Sequence, residues 1–364
     1  MKMPGNLKKT KTLTWAAVLL TSAGFCTPAS ADTFISYLFD LNSKQITQLG
    51  TLGGDVTQGN GINEAGQVAG NSNGRAFITG PNGGGMKDLG TLGGNASWGN
   101  AINNTGQVAG YAGLPPPVGG SHAFITGANG AGMTDLGALE SFDSHAYGIN
   151  DTGQVVGDSG GRAFITRPNG GGMTPLGSGT NFASAINASG QVVGRAYIGG
   201  IESHAFITGA NGVGMTDLGT LGGNYSLAYG INASGQVVGY SLTETGEGHA
   251  FVTGPDGVGM TDLGPGIAYD INDAGQVVGS STAAATWGDA FFTAPGGVGM
   301  TYVSSLVSLP TNVLLTTAGA INEHGQIVVN ASIVPEPETY AMLLAGLGLV
   351  GFIARNRKMR RTNI

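Results

Sequence analysis

Ile149-Asn150-Asp151-Thr152-Gly153-Gln154-Val155 is one of seven copies of the phrase Ile-Asn-x-x-Gly-Gln-(Val/Ile), and its reading decides the fold. The asparagines are Asn63, Asn103, Asn150, Asn187, Asn232, Asn272 and Asn322. An asparagine side chain opens a type I turn and a glycine three residues later takes the left-handed position, so each phrase predicts a tight hairpin between two strands. Between successive copies comes a second phrase, such as Arg162-Ala163-Phe164-Ile165-Thr166 followed by Pro168-Asn169-Gly170-Gly171-Gly172 and Met173-Thr174. That phrase predicts another hairpin with a glycine-rich turn. Two hairpins give four short strands for each repeat of 37 to 50 residues.

Four antiparallel strands at that period predict an all-β fold, a β-propeller of seven four-stranded blades. The chain ends fit the reading. Tyr37-Leu38-Phe39-Asp40-Leu41 with Gln45 to Gly50 reads as a second hairpin lacking its first, and Ile321 to Val329 as a first hairpin lacking its second. Pairing of these N- and C-terminal hairpins would close the ring. The alternative is an open Gly-rich β-solenoid, but unequal spacings and the complementary end hairpins argue against it. Four residues before each asparagine stand Gly59, Gly99, Ala146, Ala183, Ala228, Ala268 and Ala318, all small enough for inner strands to converge. Five residues before, the chain varies through Gln58, Trp98, His145, Phe182, Leu227, Ile267 and Thr317, which are expected to rim a central channel.

The repeats resemble the bacterial HAF-type extracellular repeat through His122-Ala123-Phe124, His204-Ala205-Phe206 and His249-Ala250-Phe251. Arg75, Arg162 and Asp289 replace the histidine in other copies. Arginine cannot serve as a metal ligand because it is always protonated, so a structural hydrogen bond donated by either residue explains the slot better. No metal and no cofactor is expected. The resemblance implies an extracellular location and supplies no reaction. Gly157-Asp158-Ser159-Gly160-Gly161 matches a serine-protease loop, yet by repeat it corresponds to Gly70-Asn71-Ser72-Asn73-Gly74 and reads as an ordinary connection.

At the C-terminus, Val334-Pro335-Glu336-Pro337-Glu338 precedes an apolar run from Tyr340 to Ala354 and the basic residues Arg355, Arg357, Lys358, Arg360 and Arg361. This order resembles the PEP-CTERM sorting signal of Gram-negative bacteria, which implies processing by an exosortase-type enzyme. The apolar run would rise only about 22 Å as a helix, short of the ~20 residues a comfortable membrane span needs. It suits transient residence in the inner membrane, with the basic end in the cytoplasm. At the N-terminus, Lys8, Lys9 and Lys11 precede the apolar run Leu13 to Phe25, and Ala29-Ser30-Ala31 is the small-x-small pattern read by signal peptidase. The mature chain is expected to begin at Asp32, and Cys26, the only cysteine, leaves with the signal peptide.

The expected organisation is therefore residues 1–31 as signal peptide, 32–333 as the repeat domain, 334–361 as the sorting signal and 362–364 as the end. Between Asp32 and Val334 stand six basic and twenty acidic residues, a net charge of −14. Nucleic acid and anionic lipid need a basic footprint, so the charge disfavours both as partners.

The connections between hairpins vary where the turns do not, and function collects on such connections. Trp98, Tyr111, Tyr240 and Trp287 are the candidate ligand-binding residues, their aromatic faces suited to sugars. The expected role is a non-enzymatic surface or extracellular-matrix module that binds exopolysaccharide, material with which the sorting family is associated. Competing expectations are a glycan hydrolase or lyase on the same scaffold, and a scaffold without ligand.

Overall fold

The computed structural model describes residues 33–139, 143–179, 181–199, 201–283, 288–334 and 346–347. The expected processing residues Ala29, Ala31, Asp32, Pro335, Glu336 and Pro337, the basic residues Arg355, Arg357, Lys358, Arg360 and Arg361, and Trp287 lie outside them. The described chain is all-β and propeller-like. Its strands form four four-stranded sheets and one eleven-stranded sheet. Within the large sheet, the first-strand end of one repeat meets the third strand of its predecessor through a single parallel pair, Ser203 with Tyr225. The long strand Met260–Ile271 serves two repeats, pairing with Gly248–Thr253 through its first half and with Val277–Ser281 through its second.

Both predicted hairpins are present. Gly153 N donates to the Asn150 carbonyl at 2.9 Å with Gly153 at φ +75°, and the strands Ser144–Ile149 and Val155–Ser159 pair on either side. The second hairpin turns through Pro168–Gly170, where Asn169 takes φ +55°. Asn169 N donates to the Thr152 carbonyl at 3.1 Å and Gly170 N to Gly153 at 2.9 Å, so the second turn docks on the first. Both turns therefore lie at one end of the repeat and the variable connections at the other. These ends are called the turn face and the connection face.

The end hairpins also meet. Thr33–Asp40 pairs with Ile46–Gln48 on one side and along its whole length with Gln326–Ile333 on the other, with Thr33 opposite Ile333 and Asp40 opposite Gln326. The pairing is longer than the sequence indicates, because Thr33 to Ser36 join it.

Burial follows the repeats. Phe39, Phe77, Phe124, Phe164, Phe206, Phe251 and Phe291 are all shielded from solvent, one from each third strand. The phenylalanine is thus the anchor of the His-Ala-Phe phrase. A glycine stands opposite the ring on the second strand: a Cβ on Gly239 would lie 2.0 Å from the Leu227 carbonyl and 2.8 Å from the Phe251 ring. The small residues four before each asparagine behave as expected, the five alanines being wholly buried.

A feature absent from the sequence reading recurs in the first strands. All seven carry a register shift between the residues four and two before the asparagine, as at Ala146/Gly148 and Ala228/Gly230. The bulged residue is the third before the asparagine. Bulges leave one residue out of the ladder and re-aim its side chain.

Candidate binding site at the channel mouth

The bulged residues Asn60, Asn100, Tyr147, Ser184, Tyr229, Tyr269 and Gly319 all lie in the wall of one cavity of about 200 Å³. The residues five before the asparagine are not in that wall; three of them, Trp98, His145 and Phe182, lie in an aromatic arc described below. Asn60 and Asn100 spend their amides on the neighbouring repeat, donating to the Gly99 carbonyl at 2.9 Å and the Ala146 carbonyl at 2.7 Å. Ser184 is too short to do so, and its buried hydroxyl has no hydrogen-bond partner among the described residues.

Next along each strand from the isoleucines of this wall runs a circuit of asparagines. Asn63 Nδ2 donates to the Asn103 carbonyl, Asn103 to Asn150, and so on through Asn187, Asn232, Asn272 and Asn322, whose Nδ2 returns to the Asn63 carbonyl, at 3.0 to 3.3 Å throughout. Each asparagine also receives the N–H of the glutamine four residues on, as Gln154 N to Asn150 Oδ1 at 3.0 Å. The glutamines continue outward: Gln154 Nε2 donates to Asn211 Oδ1 in a later second turn at 3.3 Å, and Gln326 Nε2 to Asn82 at 3.0 Å. Sequence reading assigned the asparagine a turn and the glutamine nothing. Their shared recurrence was the signal for a contact between repeats.

Toward the connection face the aromatic residues form an arc over the second to fifth repeats. Trp98 stacks on Tyr111 with ring centroids 4.8 Å apart and planes at 16°. Tyr111 meets His145 of the next repeat edge-on at 4.6 Å, and Tyr147 meets Phe182 of the one after at 4.6 Å. Arg195 continues the arc, its guanidinium 5.5 Å from the Tyr197 ring and 5.6 Å from the Tyr225 ring, with Nη1 donating to Tyr225 Oη at 3.1 Å. Tyr240 lies 6.1 Å from Tyr225.

The candidates Trp98, Tyr111 and Tyr240 are therefore brought to one arc, with an important change of place. They belong to the strands Ser97–Ile102, Val108–Gly113 and Val237–Thr243, and not to the connections. Trp98 and Tyr111 are directly opposite in the ladder, which is why they stack. All three remain partly exposed. Arg195, which sequence reading missed, is opposite Phe182 in its own ladder and forms no ion pair among the described residues. It is one of only six cations in an acidic domain, and that scarcity was its signal.

Asp270 was also missed. It stands two before Asn272, where the other copies have Gly61, Ala101, Gly148, Ala185, Gly230 and Ala320. Its carboxylate accepts from Ile271 N at 2.9 Å and Ile321 N at 3.0 Å. Burial in the channel wall pushes its pKa up to about 6 against the pull of these two donors. Burial likewise raises Tyr147, and raises Tyr229 to about 12, so both phenols stay protonated at neutral pH.

The histidines of the His-Ala-Phe phrase lie outside this site. His122, His204 and His249 bond Asp135, Asp217 and Asp262 through Nδ1 at 2.8 to 2.9 Å, and Arg75 bonds Asp88 at 2.9 Å in the same position. Histidine and arginine are interchangeable here as expected. Among the described residues no group of three His, Cys, Asp or Glu is placed to hold a metal ion.

Comparison with known proteins identifies the PEP-CTERM protein-sorting motif at residues 334–358. The motif marks the chain for export and exosortase-type sorting at the cell envelope. No curated protein matches the chain. Among solved structures, the protein assigned as TolB in Agrobacterium tumefaciens aligns with TM-score 0.51 at 10% identity, over 84% of this chain and 100% of that one. The oligogalacturonate lyase of Vibrio parahaemolyticus aligns with TM-score 0.49 at 10% identity, over 84% and 98%. The tricorn protease aligns with TM-score 0.44 at 13% identity, over 72% and 27%. The first likeness supports a propeller-like fold.

Proposed function

We propose that this chain is an exported, non-enzymatic propeller of seven blades that binds exopolysaccharide through the aromatic arc at its channel mouth. The asparagine circuit and the paired end hairpins support seven blades and closure of the ring. The observation that carries the binding role is the arc itself: Trp98 and Tyr111 of the second repeat and Tyr225 and Tyr240 of the fifth present partly exposed rings at its two ends. Sugar rings offer apolar CH faces that such side chains cover, while hydroxyls bond the polar groups between them. A non-enzymatic role is favoured by the chemistry of the cavity wall, whose one carboxylate, Asp270, is already engaged by two backbone donors. Glycoside hydrolysis usually needs two opposed carboxyl groups.

Retention of the purified mature domain on the producer's own exopolysaccharide, by affinity electrophoresis, tests the reading. Tyr240→Ala and Trp287→Ala together should release the polymer while thermal unfolding stays cooperative. Trp98→Ala should weaken retention and also lower the melting temperature, because Trp98 is packed on Tyr111. Wild-type retention in the folded Tyr240/Trp287 double variant would favour a scaffold without ligand.

A further inference from the structure

The gap between the chain ends falls at a particular place. In other repeats the second and third strands are joined across the connection face, as Val155–Ser159 is to Arg162–Arg167. In the repeat shared by the termini, the second strand is Gln326–Ile333 and the third is Thr33–Asp40, with Ile333 opposite Thr33. The turns of that repeat lie at the other end, where Leu41 N donates to the Gly325 carbonyl at 2.9 Å. Both ends of the domain therefore open on the connection face, the face toward which the aromatic arc lies. Val334 is held there by its N–H bond to the Asn312 carbonyl at 2.8 Å.

The tether that follows is short. Five residues, 335 to 339, separate Val334 from the apolar run that begins at Tyr340. Fully extended they reach at most about 18 Å. A compact domain of this size has a radius of gyration of about 19 Å, so such a tether cannot bring the opposite face to the membrane. The surface around the exit suits contact with lipid. Phe34 and Leu314 flank Ser332 in the ladder and are 46% and 44% exposed; Val334 is 41% exposed, and Val56, bridged to Phe34, 36%.

We propose that, while the sorting segment is in the membrane, the domain is held with its connection face against the lipid surface, Phe34, Leu314 and Val334 at the contact, and the channel mouth covered. Cleavage after the Pro-Glu-Pro element then uncovers the mouth. Sorting would thereby control binding, because the anchored protein cannot engage a polymer at a face it presses to the bilayer. The inference rests on membrane residence of the C-terminal run and is independent of what the mouth binds.

The test uses the full chain with Cys26→Ser, whose mature domain contains no cysteine. Single cysteines are placed at exposed positions on opposite faces, Thr245→Cys on the connection Thr243 to Glu247 and Ala188→Cys on the turn after Asn187. Each protein is labelled with a fluorophore and reconstituted into phosphatidylcholine vesicles carrying a headgroup quencher. The label at 245 should lose severalfold more fluorescence than the label at 188, and a long Gly/Ser segment inserted after Val334 should equalise the two. Equal quenching in the uninserted protein, or stronger quenching at 188, would overturn the orientation. Failure of the chain to float with the vesicles would instead overturn the membrane reading on which it rests.

Discussion

Asn322 Nδ2 donates to the backbone carbonyl of Asn63 at 3.1 Å although 259 residues separate them, joining the last copy of the repeat phrase to the first. The same amide bonds Gln326 Oε1 at 2.8 Å, and Asn322 Oδ1 accepts Gln326 N at 2.9 Å. One buried side chain thus satisfies its own turn and the contact between repeats.

Asn322→Ala should cost about 2–4 kcal/mol, because it strands buried donors and acceptors that water cannot reach, each costing ~1–3 kcal/mol. Asn322→Asp keeps the acceptor but loses the donor and should also destabilise. Urea unfolding of the two variants against the parent checks both, and a change below ~0.5 kcal/mol for Asn322→Ala would deny the circuit a structural role.

Asp270 makes stability fall as pH rises. Its folded pKa, about 6, lies above the unfolded value near 4, so the folded state holds the proton more tightly between them. Its contribution is greatest below pH ~4 and is lost as pH passes ~6. Asp270→Asn removes that proton-linked loss and should raise the melting temperature at pH 7, by about 1–2 kcal/mol in stability. That is less than the ~3 kcal/mol of an unscreened two-unit shift, since the channel brings water to the wall. Melting curves from pH 4 to 8 should be flatter for the variant over that window than for the parent.

His204→Arg should be close to neutral, within ~0.5 kcal/mol, because Arg75 with Asp88 already makes the same bond in another repeat. His204→Leu removes the donor to Asp217, half of which is exposed, and should cost no more than ~1 kcal/mol. Added zinc should not stabilise the parent in differential scanning fluorimetry if the histidines are structural.

Processing should remove both ends of the chain. Intact-mass measurement of the extracellular protein is expected to give a chain beginning at Asp32 and lacking the segment after the Pro335-Glu336-Pro337 element. A released protein whose mass still includes Tyr340 to Ile364 would contradict exosortase-type sorting.

What the sequence determined by itself is local or repeated. Asn150 and Gly153 specify a turn through their own backbone preferences, Phe164 recurs because every repeat needs one anchor, and Val334 to Arg361 is a linear signal read without folding. Pairing of Tyr37 with Val329 was legible as well, since each end carried the hairpin that the other lacked. The tertiary structure decided which side chains meet. A bulge at Tyr147 or Tyr229 depends on how the strand sits against its partner, so no periodicity along the chain announces it, yet it turns that residue into the channel; Trp98 meets Tyr111 only because the ladder register sets them opposite each other. Arg195 reaches Tyr225, thirty residues on, only because two successive repeats lie side by side. Turn chemistry is written in neighbours along the chain, whereas a binding face is written in neighbours across it, and those exist only once the strands have packed.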